Sequence, residues 1–387
     1  MPGPCDGFRL HRWPRVQNDP LQAWDAADEF VLQHVATLEL PQSPRVLLIN
    51  DSYGALATCL HHYSPVSWSD SSLSHRAAAE NLLNNDIDTP LRALPSTEAP
   101  QGMFDLVLIR VPKTTALLED QLARLRPHVH AGTIIVAGAM IKHLQKSAFA
   151  CFEQYLGPVT TSLGVKKARL IFATIDETLA APESPYPTQF HDAEMQIALF
   201  NHANVFSRDH LDHGARFLLS QYDQLPRVDD AIDLGCGNGV LGIRLQQRQP
   251  EAKVQFIDES YSAVASAILN YQTLIPGESS ELESGVGSET ESGSAPSFVV
   301  ADSLEHRAAE STKLVLCNPP FHQQHVLGDR IAQAMFLDSK RCLEQGGELW
   351  VVSNRHLDYG SSLQRLFGHC RTVASNKKFV VFRAVKR

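Results

Sequence analysis

The sequence lacks the features that would place it in a membrane or in an oxidising compartment. No apolar run approaches the ~20 residues that a membrane-spanning helix needs. The seven cysteines are scattered, odd in number and without a CxxC pair, which argues against a disulfide framework and against a zinc site. Basic residues are not in excess, because the formal net charge is −9, and this argues against a general coater of nucleic acid. We therefore expect a cytoplasmic protein with reduced thiols and no membrane segment.

The second half of the chain alternates between predicted strands and helices. The strands are predicted at 228–234, 253–257, 298–301, 314–317 and 347–353, and the helices at 240–249 and 261–271. Strands separated by helical patterns of about 10–15 residues are typical of βαβ units and a mostly parallel sheet. Residues 276–297 interrupt this order with a stretch rich in glycine, serine and glutamate, which predicts a disordered acidic insertion at the surface.

The first half repeats the same order of signals, which predicts a duplicated domain. Residues 46–56 align with 231–241, and residues 104–113 align with the strand and tip around Asn318. The first copy has lost the residues that would approach a ligand: Leu48, Asn50, Ser52 and Arg110 stand where the second has Asp233, Gly235, Gly237 and Asn318. We expect an α/β protein of two tandem Rossmann-like domains, at 1–180 and 201–387, with a linker at 181–200. The degenerate first domain is either a structural cap or a substrate-recognition domain.

A glycine-rich turn follows the first strand of the second domain. Its sequence is Asp233-Leu234-Gly235-Cys236-Gly237-Asn238-Gly239. A dinucleotide-binding fingerprint needs its third glycine one position later, where this chain has Val240. The pattern instead resembles motif I of S-adenosylmethionine-dependent methyltransferases, which leaves NAD as the second choice of cofactor.

Acidic residues at two further strand ends strengthen that resemblance. Asp258 ends the second strand, where a carboxylate accepts hydrogen bonds from both ribose hydroxyls. Asp302 ends the third strand, where the methyltransferase pattern has a residue that holds the adenine amine. The resemblance therefore implies a site for S-adenosylmethionine, with Asp233 and the glycine turn at its methionine end. The predicted cofactor-binding residues are Asp233, Gly235, Cys236, Gly237, Asn238, Gly239, Asp258, Asp302 and Asn318.

The tetrapeptide Asn318-Pro319-Pro320-Phe321 follows the fourth strand and carries the predicted catalytic chemistry. Its two prolines stiffen the backbone and remove two N–H donors. The Asn318 amide and the Pro319 carbonyl can then accept hydrogen bonds from a planar amine, while the Phe321 ring stacks on a base. This predicts methyl transfer to the nitrogen of a base or of a side-chain amide. A base inside a helix cannot reach such a tip, so a nucleic-acid target is single-stranded, looped or flipped out.

Five further residues are candidates for substrate binding. Phe206, upstream of the glycine turn, could cover the cofactor or the base, and Arg208 could contact a phosphate. His322 and His325 have the spacing of a metal pair, but no third ligand is in sight and the chemistry needs no metal. We therefore assign His322 to substrate contact or capping and expect no metal site. The remaining two candidates are Arg110 and Lys113, at the matching strand end of the first domain.

Over nearly its whole length the chain resembles the RlmG/RsmC family of bacterial ribosomal RNA guanine-N2 methyltransferases. The segments that carry the resemblance are PLQAW at 20–24, AADE at 26–29, VPK at 111–113, HANVFS at 202–207, DLGCGNG at 233–239, NPPFHQQH at 318–325 and NRHLDY at 354–359. The resemblance implies two tandem class I methyltransferase domains, of which the degenerate N-terminal one helps to hold RNA and the C-terminal one is catalytic.

The resemblance also implies a target, which is the exocyclic N2 amine of a guanine in 23S ribosomal RNA. The residues alone imply only a planar amine, because similar tips serve adenine N6 and glutamine N5 methylation. A guanine N2 in 16S ribosomal RNA is a further alternative within the family. We also expect the enzyme to act as a monomer, with ribosomal RNA as its partner.

Overall fold

The structure is a computed structural model that describes residues 5–15, 19–275, 283–286, 296–320 and 325–387. The chain divides into two compact units, Met1–Tyr186 and Pro187–Arg387, which we call the N-terminal unit and the C-terminal unit. Each unit contains one large mixed sheet with helices, which is the α/β class that the sequence predicts. None of the helices described is long and apolar enough to cross a membrane.

The N-terminal unit is built on a seven-stranded sheet. Its strands are β1 Val46–Ile49, β2 Val66–Ser69, β3 Arg92–Pro95, β4 Leu106–Arg110, β5 Ile134–Met140, β6 Val159–Thr161 and β7 Ala168–Ala173. Its helices are α1 Ala26–Val35, α2 Ala55–Cys59, α3 Ser72–Leu83, α4 Thr115–Leu125 and α5 Lys146–Tyr155, with 3-10 turns at His61–Tyr63, Arg126–His128 and Ile141–His143. The strand order is β3-β2-β1-β4-β5-β7-β6; the first five strands are parallel, and β7 pairs antiparallel with both β5 and β6.

The C-terminal unit contains a larger sheet and a separate hairpin. Its strands are β8 Thr188–Asp192, β9 Ile197–Asn201, β10 Asp230–Leu234, β11 Lys253–Asp258, β12 Glu283–Val286, β13 Ser297–Val300, β14 Thr312–Cys317, β15 Leu343–Asn354, β16 Cys370–Ser375 and β17 Phe379–Val385. Its helices are α6 His213–Leu219, α7 Val240–Arg248, α8 Tyr261–Leu274, α9 His325–Cys342 and α10 Tyr359–Phe367, with a 3-10 turn at Tyr222–Gln224. The large sheet has the order β12-β13-β11-β10-β14-β15-β17-β16, and β8 pairs with β9.

The two units share one topology. Without β12, the order and direction of the strands in the C-terminal sheet are those of the N-terminal sheet. The register agrees as well, because Ile49 pairs with Ile109 as Leu234 pairs with Cys317. The residues that follow Ile109 and Cys317, Arg110 and Asn318, therefore occupy equivalent positions. The predicted fold class, two tandem Rossmann-like domains, is confirmed.

Each large sheet has an apolar core on both faces. In β14, Leu314 and Leu316 face one core of the C-terminal unit and Val315 faces the other, because successive side chains of a strand point to opposite sides. In β10, Ala231 faces the same core as Leu314. Asp233 lies two residues further along β10, so the pleat turns its carboxyl group toward that apolar core.

The structure differs from the sequence-based prediction within the predicted linker 181–200. Residues from Thr188 onward form the β8–β9 hairpin instead. Phe200 of β9 donates its N–H to Asn270 Oδ1 on α8 at 2.6 Å, and Asn270 Nδ2 donates to the Phe200 carbonyl at 2.8 Å. The hairpin strands have only five residues each, so their alternation is a weak sequence signal. Their place in the unit depends on the long-range pairing with α8.

A second difference concerns the predicted disordered insertion 276–297. Residues Glu283–Val286 form strand β12, which pairs in parallel with β13 and extends the sheet by one strand. Ser297 belongs to β13 itself. Without β12, the outer side of β13 would present unpaired N–H and C=O groups, and an added strand satisfies them whatever its composition. The rest of the insertion lies outside the described residues.

Candidate active site

The predicted site residues come together at one edge of the C-terminal sheet. Strands β13, β11, β10 and β14 are neighbours and parallel, so their carboxyl ends lie side by side. In open α/β sheets, ligands bind at this edge. The edge presents Asp302, Asp258, the glycine turn and Asn318 in that order. The predicted clustering of these residues is therefore present in the fold.

The glycine turn between β10 and α7 leaves open space for a ligand. Gly237 has φ +54°, and a Cβ atom placed on it would meet nothing within 4 Å. Gly239 has φ +80° at the start of α7, and its Cβ would lie 3.0 Å from the Cβ of Ala267 on α8. Both positions have left-handed backbone conformations that favour glycine. Gly239 thus lets helix α7 pack closely, while Gly237 leaves its side of the turn free for a cofactor.

Asp258 connects the glycine turn to the next strand end. Its Oδ2 accepts a hydrogen bond from the Gly237 N–H at 3.0 Å, and its Oδ1 accepts one from the Ser260 N–H at 3.0 Å. The Ala301 N–H donates to the Asp258 carbonyl at 3.0 Å, which holds Asp302 beside it. The two acids predicted to bind the ribose and the adenine thus follow neighbouring strands.

The structure shows how Asp233 supports the glycine turn. Its side chain is fully buried, and Oδ2 accepts a hydrogen bond from the Gly242 N–H of α7 at 2.7 Å. Oδ1 has no hydrogen-bond partner among the described residues. Burial raises the pKa of this carboxyl group to about 8, and the negative charge of Asp258 acts in the same direction. Asp233 therefore braces the helix behind the glycine turn, and its contact with the cofactor stays a prediction.

Cys236 and Asn238 contribute backbone rather than side chains to the turn. Both side chains are buried, and burial raises the pKa of the Cys236 thiol well above its usual range. Asn238 Oδ1 accepts from the Val240 N–H at 3.3 Å, while the Asn238 carbonyl accepts from Asn270 Nδ2 at 3.0 Å. These two residues therefore offer peptide groups, rather than free side chains, to the predicted cofactor.

Asn318 follows β14, directly beside the glycine turn. Its Nδ2 donates a hydrogen bond to Asp212 Oδ2 at 2.9 Å. Its Oδ1 is buried and accepts no hydrogen bond from the described residues. A buried carbonyl oxygen without a donor is costly, so this atom is poised for a donor that a substrate can bring. Pro319 is buried and Pro320 half-buried after it, whereas Phe321 and His322 lie outside the described residues.

Sequence reasoning missed Asp212. It caps the N-terminus of α6, where Oδ2 accepts from the Ala215 N–H at 2.8 Å. The available signal was the duplication, because Asp25 caps α1 in the N-terminal unit and contacts Arg110, the counterpart of Asn318.

The two upstream candidates, Phe206 and Arg208, differ in exposure. Phe206 is 56% exposed. The guanidinium of Arg208, in contrast, makes two hydrogen bonds of 2.9 Å to the carboxylate of Asp209. It also donates to the Ala203 carbonyl at 3.3 Å. A phosphate at Arg208 would have to compete with Asp209, although an exposed ion pair of this kind is weak.

The N-terminal counterpart of the tip is closed by an ion pair. Arg110 contacts Asp25 at 2.9 Å and Asp28 at 3.0 Å, and its side chain is 15% exposed. This geometry corrects the prediction that Arg110 binds the substrate, because its charge is paired with two carboxylates within the N-terminal unit. Lys113 is exposed, and its contact with RNA stays a prediction. Within the described parts of the chain, His, Cys, Asp and Glu form no group of three or more that could hold a metal.

Comparison with known proteins identifies the family. Residues 4–177 match the RLMG N-terminal domain, and residues 196–383 match the methyltransferase small domain. A protein of Stutzerimonas stutzeri (strain A1501) named ribosomal RNA large subunit methyltransferase G is 46% identical over 99% of this chain and 98% of its own. A protein of the same name in Aeromonas salmonicida (strain A449) is 45% identical over 98% of this chain and 97% of its own. The chain belongs to the ribosomal RNA large subunit methyltransferase G family.

Membership confirms the predicted family and makes the chain a methyltransferase with S-adenosylmethionine as cofactor. A solved structure supports the shared fold of the large subunit methyltransferase G family. It is the T. Thermophilus 16S rRNA N2 G1207 methyltransferase (RsmC) in complex with AdoMet and guanosine, with a TM-score of 0.74 and 21% identity. The match covers 98% of this chain and 95% of that chain, so the likeness extends over both units.

Proposed function

We propose that this protein methylates the exocyclic N2 amine of a specific guanine in 23S ribosomal RNA, with S-adenosylmethionine as the methyl donor. The names of the full-length relatives support the large-subunit RNA as the target. The observation that supports an amine is Asn318, whose buried Oδ1 accepts no hydrogen bond from the described residues at the edge beside the glycine turn. The N2 group of guanine has N–H donors and fits this acceptor.

The cofactor would be held by residues of three neighbouring strand ends. The open side of Gly237 fits the close approach of a ligand to the backbone, and the Asp258 carboxylate fits ribose hydroxyls. Asp302 lies at the strand end predicted to meet the adenine. Bound S-adenosylmethionine supplies a methyl group that its sulfonium has already activated. All of these residues lie in the C-terminal unit, which supports a monomer as the active species.

Asn318 would orient the amine and stabilise its charge. The lone pair of an exocyclic amine is delocalised into the ring, so it is a poor nucleophile. A hydrogen bond from the amine to Asn318 Oδ1, with a second to the Pro319 carbonyl, would turn the lone pair toward the methyl group and stabilise the positive charge at nitrogen. The nitrogen would gain the methyl group as the methyl–sulfur bond of the cofactor breaks, which leaves S-adenosylhomocysteine, and the nitrogen would then lose one proton to water. The predicted stacking of Phe321 belongs to the same proposal.

The N-terminal unit would hold RNA through lysines at the edge that matches the catalytic edge. Lys113 follows β4, Lys142 follows β5 and Lys167 precedes β7, which runs antiparallel to β5, so all three lie at that edge. All three are exposed. The pKa of His143 is affected by two of these lysines. Burial lowers it most, and the positive charges of Lys142 and Lys113 lower it further. Such a cluster on a chain of net charge −9 favours phosphate. The RNA substrate supports a cytoplasmic location.

The central experiment measures methyl transfer to purified RNA. We expect Asn318→Ala to lower kcat by about 10²–10³-fold, because it removes an acceptor that acts on developing charge. Cofactor binding should survive, since the glycine turn, Asp258 and Asp302 are unchanged. Radiolabelled transfer to 23S rRNA, 16S rRNA, DNA and a release factor compares the alternatives. An unimpaired Asn318→Ala variant would contradict the mechanism, and label only in 16S rRNA, DNA or protein would contradict the target.

A further inference from the structure

We infer that Asp212 is a positioning residue that fixes the side-chain amide of Asn318 so that Oδ1, and not Nδ2, faces the reacting amine. The inference rests on the proposed role of Asn318. It adds a residue from a different part of the chain, because Asp212 lies at the start of α6, more than a hundred residues before the tip.

A side-chain amide can present either its oxygen or its NH₂ group to a substrate unless a neighbouring group fixes it. The oxygen and the NH₂ group of asparagine are nearly equal in size, so the side chain can turn over with little steric change. In one orientation it accepts a hydrogen bond from the substrate amine. In the other it presents donors to donors and repels that amine. A carboxylate accepts hydrogen bonds only, so a carboxylate beside the amide binds the NH₂ end and rejects the oxygen end.

Asp212 is itself held rigidly in the required place. Its Oδ2 accepts from the Ala215 N–H at 2.8 Å and from Asn318 Nδ2 at 2.9 Å. One oxygen thus caps α6 and fixes the amide. Gly214 packs against both groups: a Cβ on it would lie 2.9 Å from Asp212 Oδ2 and 3.3 Å from Asn318 Oδ1. The absence of a side chain at Gly214 allows the carboxylate, the amide and the helix start to meet.

The N-terminal unit contains the same device with a different partner. Asp25 caps α1, where Oδ1 accepts from the Ala27 N–H at 2.8 Å. It also binds the residue that occupies the position of Asn318, because Arg110 Nη2 lies 2.9 Å from Asp25 Oδ2. The duplicated scaffold therefore places a capping carboxylate against this strand end in both units. In the catalytic unit, the group it orients is a neutral amide whose Oδ1 accepts no hydrogen bond from the described residues.

Three substitutions separate the two roles of Asp212, which caps α6 and contacts the Asn318 amide. Asp212→Asn can place its Oδ1 where Oδ2 now lies and keep both bonds, so kcat should stay within about tenfold of the parent. Asp212→Ser keeps a good helix cap but is too short to reach Asn318. We expect it to lower kcat by about 100-fold, as for other losses of reactant orientation. Asp212→Ala loses the cap as well and should also lower the thermal midpoint.

Three readouts accompany kcat. S-adenosylmethionine affinity and the thermal midpoint of Asp212→Ser should match the parent, while its affinity for guanosine falls. In an Asn318→Ala background, Asp212→Ser should cause no further loss of kcat, because the group that it orients is gone.

The outcomes distinguish the inference about Asp212 from the proposed function. If Asp212→Ser keeps the parental kcat while Asn318→Ala is impaired, Asp212 is a helix cap only and the inference is wrong, although the proposed function stands. Losses that multiply in the double variant would also overturn it. If Asn318→Ala is itself unimpaired, the proposed function fails first.

Discussion

Asp233 has a carboxyl group that is buried in an apolar core and, among the described residues, hydrogen-bonded through Oδ2 alone. Burial raises its pKa to about 8 in the folded protein, whereas in the unfolded chain it titrates near the ordinary value of about 4. The folded state therefore retains a proton that the unfolded state has lost between these two pH values. The sign of this linkage means that Asp233 makes the protein less stable as pH rises through that window.

We expect Asp233→Asn to remove this pH dependence. The amide oxygen can still accept from the Gly242 N–H, and the variant carries no titrating group. The free energy of unfolding of the variant, relative to the parent, should rise from pH 4 to pH 8 and be constant above that. Denaturant unfolding at a series of pH values measures it. Asp229→Asn, at an exposed ion pair with Lys313, is the control, and equal slopes for both variants would contradict the assignment.

For single residues, the sequence predicts the place in the fold better than it predicts the direction of the side chain. Asp258, Asp302 and Asn318 could be placed at strand ends because their spacing follows the βαβ pattern. The inward direction of Asp233 depends on which face of β10 meets α7. The contact of Asp212 with Asn318 joins segments far apart in sequence, and no local pattern records such a contact. For the same reason, the sequence does not predict the pairing of Arg110 with Asp25.

Among the elements, helix α8 has a structural link to the glycine turn. Asn270 on α8 bonds the Phe200 backbone of β9 in both directions and donates to the carbonyl of Asn238 in the turn. In the N-terminal unit, Asn81 on α3 does the same: it bonds the His11 backbone in both directions and donates to the Tyr53 carbonyl. One buried asparagine thus joins a helix, an extended segment and a turn in each unit.

We expect Asn270→Ala to weaken both the fold and cofactor binding. It leaves the Phe200 amide and the Asn238 carbonyl without their partner, which should cost about 2–4 kcal/mol of unfolding free energy. The loosened turn should raise the Kd for S-adenosylmethionine at least several-fold. Asn81→Ala is the matched control, since it breaks the equivalent bonds in the unit without the cofactor. Calorimetry and denaturant unfolding check both, and an equal loss of cofactor affinity in Asn81→Ala would refute the link.

The element scale also shows where sequence patterns suffice. Apolar runs and helical periods alternate strongly in part of the C-terminal unit, so the sequence closely predicts β10, β11, β13, β14, β15, α7 and α8. The β8–β9 hairpin and strand β12 could not. Both are short, and both are stabilised by pairing with distant partners, Asn270 for the hairpin and β13 for the added strand.

The whole molecule consists of a catalytic unit and a copy of its scaffold that presents lysines. We expect the triple substitution of Lys113, Lys142 and Lys167 by glutamine to weaken binding of 23S rRNA. The slope of log K against log salt should fall by about 2–3, if each lysine contacts one phosphate. The kcat at saturating RNA should stay near that of the parent, because the catalytic edge is unchanged.

The control for this prediction is Arg92→Gln in the same unit. Arg92 is exposed at the amino end of β3, on the opposite edge of the sheet. It should leave the salt slope unchanged. Filter binding at several salt concentrations measures both variants. A triple variant with the parental slope would show that the lysine edge does not meet RNA, and the N-terminal unit would then be a structural cap.

The Arg110 ion pair has a consequence for the stability of the N-terminal unit. Asp28 is 7% exposed, and its Oδ1 lies 3.0 Å from Arg110 Nε. A substitution of Arg110 by asparagine would leave Asp25 and Asp28 close together without a cation, which is strongly destabilising for buried charge. The amide that follows β14 in the C-terminal unit would therefore weaken the fold at the equivalent position of the N-terminal unit.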